Sequence, residues 1–158
     1  SLPSRAVGEA SFPVMANLPS SDASLAHALA RIGLGINIAL HGWTRIPKFK
    51  AFEASLLKDF ADSPLPAPLV SLSAYGIVAA ESVIGTLLLL GLWQRKALFA
   101  GGLLMWTLLF GVCLVQNWGA AGVQMVYLAF FAALLATLRQ DKWSLDGWKG
   151  SRTTPNLL

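Results

Sequence analysis

Glu81 sits near the centre of a long apolar stretch and is the only acidic residue inside any of the four such stretches in this chain. A carboxylate at that depth of a bilayer is costly, so residues of this kind face a bundle interior, find a partner, or line a path for protons or ligand. His41, in the run His41-Gly42-Trp43, carries an imidazole able to hydrogen-bond a quinone carbonyl, relay a proton or bind a metal. Arg31 shares that stretch with His41. At ~1.5 Å of rise per residue, Glu81 is offset by about 7 to 8 Å along the membrane normal from both. A long arginine closes that gap, whereas His41 needs a water or a ligand in between, so Arg31 is the expected direct partner of Glu81. Gln124 and Tyr127, together with Gln116 and Asn117, fall on the His41 side of the membrane and are candidates to line a pocket there. Lys48 and Trp43 would frame its entry.

Two roles fit Glu81. It is either a structural carboxylate, paired with Arg31 or kept protonated by desolvation, or a group that exchanges protons or binds ligand. His41 has the same ambiguity, since an interfacial histidine also satisfies itself on backbone or water. Metal chemistry has little to stand on. The two histidines, His27 and His41, are fourteen residues apart, roughly 21 Å along one helix, and cannot ligate one ion or one haem from both sides. A single axial bond from His41 to a haem or a chlorophyll-like pigment stays open. The lone Cys113 cannot supply a redox pair, a thiolate zinc site or an iron–sulfur cluster. No phosphate-binding glycine loop or nucleophile elbow is present, and no catalytic residue is assigned.

The elements that must hold these groups follow from composition. The chain has 158 residues, 55% of them hydrophobic and 13% charged, too apolar for an ordinary soluble domain. Stretches 25–43, 69–93, 97–115 and 119–138 each have the ~20 residues that a helix needs to cross the hydrocarbon layer. Trp43, Trp93, Trp118 and Trp143 fall at or just beyond their ends, where indole rings favour the headgroup zone. The expected fold is all-α, a four-helix transmembrane bundle over residues 25–138, flanked by a polar N-terminal segment (1–24) and a polar tail (139–158). Small residues such as Ala28, Gly35, Gly42, Ala74 and Gly85 would allow close helix approach.

Between the first two spans, Ile46, Phe49, Phe52, Leu56, Leu57 and Phe60 recur at spacings of three and four, with Lys48, Lys58 and Asp59 outside the stripe. This pattern predicts an amphipathic helix in the interface plane, either a simple lid or one that gates a pocket. Pro64, Pro66 and Pro68 then enforce an extended lead into span two. Residues 1–24 lack the basic start and apolar core of a secretory signal. Met15 is a candidate natural start, so residues 1–14 are read as an upstream extension or a non-native remnant, and the whole segment 1–24 as an extension or a docking arm. Basic residues near the spans are slightly more numerous on the side of the termini, which favours cytoplasmic termini. The net charge of +4 is spread over flanks and one loop, fitting anionic lipid headgroups and not nucleic acid.

The run Arg31-Ile32-Gly33-Leu34-Gly35, continuing to His41-Gly42-Trp43 and Lys48, resembles the first helix of the DoxX family. Glu81, Gly85, a leucine run, Gly91 and Arg95 are similar to its second-helix pattern, and Trp143-Ser144-Leu145-Asp146 to its C-terminal SLD signature. Gln140 and Asp141 stand where that signature is usually preceded by glycines. The resemblance implies a four-helix protein of the bacterial inner (or a photosynthetic) membrane, associated with redox systems; a related branch supplies the membrane subunit of a thiosulfate:quinone oxidoreductase. The expected function is therefore a membrane subunit working with a redox partner and binding a quinone-type ligand. In that picture Glu81 and His41 exchange protons or bond the ligand, and Arg31 tunes Glu81. The alternatives are a structural or assembly subunit of a larger respiratory or photosynthetic complex, and a small-solute or proton pathway.

Overall fold

The computed structural model describes residues 20–148. The expectations for residues 1–14, for the rest of the segment before Ser20 and for the end of the tail lie outside the described residues. Five α-helices follow in order: α1 (Ser20–Arg45), α2 (Phe49–Asp59), α3 (Ala67–Leu90), α4 (Gln94–Leu114) and α5 (Trp118–Ala136). All except α2 are long and apolar enough to cross a membrane, so the fold is the expected four-span bundle with one short amphipathic helix between the first two spans. α1 starts before the hydropathy edge. The Ser24 hydroxyl donates to the Ser20 carbonyl at 2.8 Å, and Asp22 in the first turn suits the positive end of the helix dipole.

α1 and α3 pack almost backbone to backbone. A Cβ added at Gly85 would lie 2.5 Å from Ala39 Cα, and one at Gly42 would lie 2.8 Å from Ser82 Cα, so neither position has room for a side chain. Lipid offers no hydrophobic drive for helix association, and close dispersion contact between small residues takes its place. α4 and α5 pair around Phe131, whose ring fills the notch at Gly101. Between the two pairs lies a core that includes Leu34, Ile38, Ile84, Leu88, Leu98, Met105 and Leu134.

α2 lies across the end of this bundle. Phe49, Phe52, Leu56, Leu57 and Phe60 are half-buried while Lys48, Lys58 and Asp59 are exposed, and Ile46 falls before the helix and is exposed. The Phe49 ring packs on Tyr75 of α3 at 4.2 Å between centroids. Glu53 accepts a hydrogen bond from the Ser71 hydroxyl of α3 and another from Lys50 at 3.3 Å. Pro66 in extended backbone then leads into α3, with a proline in its first turn.

At the opposite end, the chain after α5 straps the helix termini together. α3 stops at Gly91, whose φ of 68° is left-handed; Leu92 N–H returns to the Leu87 carbonyl at 3.0 Å, closing a glycine-dependent C-cap. The strap presses here, and a side chain at Gly91 would lie within 2.8 Å of Ser144 Cα. Asp146 accepts from the Gln94 backbone N–H at 2.8 Å and so caps the start of α4. Its own N–H donates to the Gly91 carbonyl at 3.0 Å. Ser144 in turn donates to Asp141 at 2.7 Å and accepts from Gly147 N–H at 2.9 Å. The Ser-Leu-Asp run thus locks the α3–α4 turn.

Candidate functional site

Helical periodicity places Asn37, His41 and Arg45 on successive turns of one face of α1. That face looks into a cavity of about 400 Å³ between the four spans, to which α3 contributes Ile77 and Glu81, α4 Met105, Leu108 and Val112, and α5 Gln124 and Tyr127. Phe52 and Leu56 of α2 complete its lining. Most of the wall is apolar. The polar groups converge from α1, α3 and α5.

Glu81 is 3% exposed and its carboxylate is ion-paired with the Arg45 guanidinium. Arg45 occupies the last turn of α1, where a cation is favoured by the helix dipole. Its guanidinium carbon also lies 4.5 Å over the Phe52 ring, within the range of a cation–π contact. One side chain therefore ties the end of α1 to the buried acid of α3 and to the α2 lid. Because the Arg45 side chain keeps 29% of its surface exposed, the pair is not wholly removed from water, which lowers its desolvation cost.

His41 Nδ1 lies 2.9 Å from the Asn37 backbone carbonyl. Only an N–H can satisfy that contact, so the neutral ring keeps Nε2 as a hydrogen-bond acceptor. The side-chain oxygens of Asn37 and Gln124 are buried without a hydrogen-bond partner. Each amide also carries two N–H donors, so either can accept from a hydroxyl or, turned over, donate to a carbonyl. The wall thus offers a guanidinium, two amides and a phenol as donors, and a carboxylate, an imidazole nitrogen and two amide oxygens as acceptors. Such a set suits a compact ligand with oxygens that change between carbonyl and hydroxyl.

The family model of DoxX matches residues 26–117. The chain belongs to the DoxX family. No curated protein and no solved structure matches it. The DoxX match covers the cavity walls from α1, α2, α3 and α4, and ends before α5, so Gln124 and Tyr127 come from outside the matched segment.

Glu81, His41, Gln124 and Tyr127 are brought to one cavity, whereas Trp43 and Lys48 are exposed and do not line it. Gln116 and Asn117 are also absent from the lining; Asn117 instead caps α5, accepting from Ala120 N–H at 3.1 Å. The expected Arg31–Glu81 pair does not form. Arg31, 2% exposed, donates to the Leu88 carbonyl, to the Leu89 carbonyl at 3.3 Å and to the Trp143 carbonyl at 2.6 Å. Its carboxylate neighbour is Asp141 at 3.7 Å, one of the residues standing where glycine was expected. The reason is positional: carbonyls in the last turn of a helix are short of intrahelical partners, the Leu88 carbonyl here receiving only the Gly91 N–H at 3.3 Å from the backbone, and Arg31 is level with them. Arg45 and Asn37 were missed as site residues. Their spacing of four on either side of His41 is the signal that reveals them.

Proposed function

We propose that this DoxX protein is a membrane subunit that binds a quinone-type ligand in the cavity beneath α2 and hands it to, or receives it from, a redox partner. The observation that carries this reading is the convergence of the Arg45–Glu81 pair with two unpartnered amide oxygens on an otherwise apolar wall. Buried polar atoms without partners are rare, and a ligand or water is the usual explanation. A bound quinone supplies two-electron, two-proton redox chemistry. Arg45 and the amides orient the ligand's oxygens by donating hydrogen bonds. Glu81 and His41 Nε2 accept or return protons at those oxygens, and their position under the α2 lid places them near the water needed to renew the proton.

Electrons come from the partner, since this chain's own residues provide proton and binding chemistry. In this reading the protein resides in the bacterial inner membrane, or a photosynthetic one, with its termini on the cytoplasmic side. Purification in mild detergent, followed by quinone analysis of the lipid extract and identification of co-purifying proteins, tests the proposal. A quinone retained at up to one per chain, with a redox enzyme as partner, is the expected result. Recovery as a fixed-ratio member of a large assembly with no quinone favours the assembly-subunit reading instead.

A further inference from the structure

A second cavity of about 320 Å³ opens between α1 and α5, with Ala30 and Gly33 at its base and Leu29 and Phe130 on its rim. Asn37 and Tyr127 line both cavities, so the two meet at those side chains. Beyond them the second is apolar. Its rim faces the bilayer: Leu29 is 64% and Phe130 45% exposed. Gly33 is unlike the glycines that seat α3 on α1, because a Cβ there would meet nothing within 4 Å. Glycine inside a helix is less favourable than alanine, and here no close helix contact requires it. What Gly33 does provide is depth in the groove.

Resting on the head-group reading above, we infer that this groove holds the apolar tail of the same ligand, which enters sideways from the bilayer between α1 and α5. The ligand class is then an amphiphile with a small polar redox head and a long hydrocarbon or isoprenoid chain. The head lies among Asn37, Arg45, Glu81 and Gln124. The first part of the chain runs from Asn37 toward Leu29, about 12 Å along α1 for eight residues, and the remainder continues into lipid. Tyr127, at the junction, separates the polar from the apolar compartment.

An acyl chain of a neighbouring lipid has the same chemistry as such a tail, and only a tail joined to the head links occupancy of the groove to binding of the head. The test is equilibrium binding to the full chain in phosphatidylcholine nanodiscs. Two quinones with one head are compared, one with a single prenyl unit and one with many. The variants are Gly33→Trp, the milder Gly33→Leu, and the control Gly76→Trp, at a position where a Cβ also meets nothing within 4 Å and which lines neither cavity.

Gly33→Trp is expected to weaken the long-tailed quinone by about tenfold or more and to leave the short-tailed one within about twofold, because burial of a few methylenes carries that difference. Gly33→Leu should give a smaller loss of the same kind, and Gly76→Trp none. Unaltered short-tail binding also establishes that the variants are folded. Equal loss of both quinones, loss in Gly76→Trp to match, or no loss of the long-tailed quinone in Gly33→Trp overturns the groove assignment alone. Failure of the wild-type protein to bind either quinone overturns the head-group reading and the groove with it.

Discussion

The Glu81 carboxylate meets the guanidinium of Arg45, at the end of its neighbouring helix, and not that of Arg31 in the helix interior. Placing the cation at the membrane surface leaves the acid buried but gives it a partner in contact with water. Arg31 is spent on the carbonyls at the end of α3. The two arginines therefore have separate roles, and they separate in their consequences.

Arg45→Leu leaves a 3% exposed carboxylate without its cation and should destabilise the bundle by about 3 kcal/mol. Combined with Glu81→Leu, much of that loss should return, since the stranded charge is gone. Thermal unfolding of the single and double variants in detergent checks this. Equal losses would mean that the pair is energetically unimportant.

Arg31→Leu is expected to cost as much or more, and Glu81→Leu should not relieve it. The substitution removes the side-chain donor to the Leu88, Leu89 and Trp143 carbonyls and the guanidinium beside Asp141, which keeps the Ser144 hydroxyl. Buried groups left unpaired cost about 1–3 kcal/mol each. Proteolysis of the C-terminal strap should accelerate in this variant, and a strap as resistant as in the wild type would count against the assignment.

Asp146→Ala removes the cap from α4 and should lower stability by about 1 kcal/mol. The amide of Gln94, which donates to Asp146 at 2.8 Å, should lose protection in hydrogen exchange. Retained protection at that amide would show that the cap is dispensable.

The four spans, the amphipathic α2 and the small-residue seam of α1 on α3 were all legible in the sequence, because hydropathy, three-and-four spacing and glycine placement each reflect local chemistry. Glu81, His41, Gln124 and Tyr127 were legible as polar residues in apolar surroundings. The partner of Glu81 was not, because depth arithmetic compares heights and says nothing about competition. Arg31 has carbonyls of α3 within reach, and those claim it first. Nor did the sequence disclose that Asp141, in place of a glycine, would become the carboxylate beside Arg31, since that contact depends on the strap folding back over the helix ends.

The α2 lid should loosen in acid. Hydrogen bonding from Ser71 first, and Lys50 second, holds Glu53 below its usual value of 4.5. A carboxyl with a lowered pKa contributes stability that is full above its usual value and is lost as pH falls through the lowered one. Hydrogen exchange in α2 should therefore quicken below about pH 4.5, and Glu53→Gln should remove that dependence. Exchange that is independent of pH once intrinsic rates are corrected would exclude Glu53 as the anchor.

The central claim, that the Arg45–Glu81 cavity binds the polar head of a quinone, is tested most directly by titrating a single-prenyl quinone onto the wild-type protein and Glu81→Gln in nanodiscs. Loss of a charge-assisted contact predicts binding to the wild type and weakening by about tenfold or more in the variant, with the helical content of the two unchanged. Equal affinity in the two proteins would contradict it.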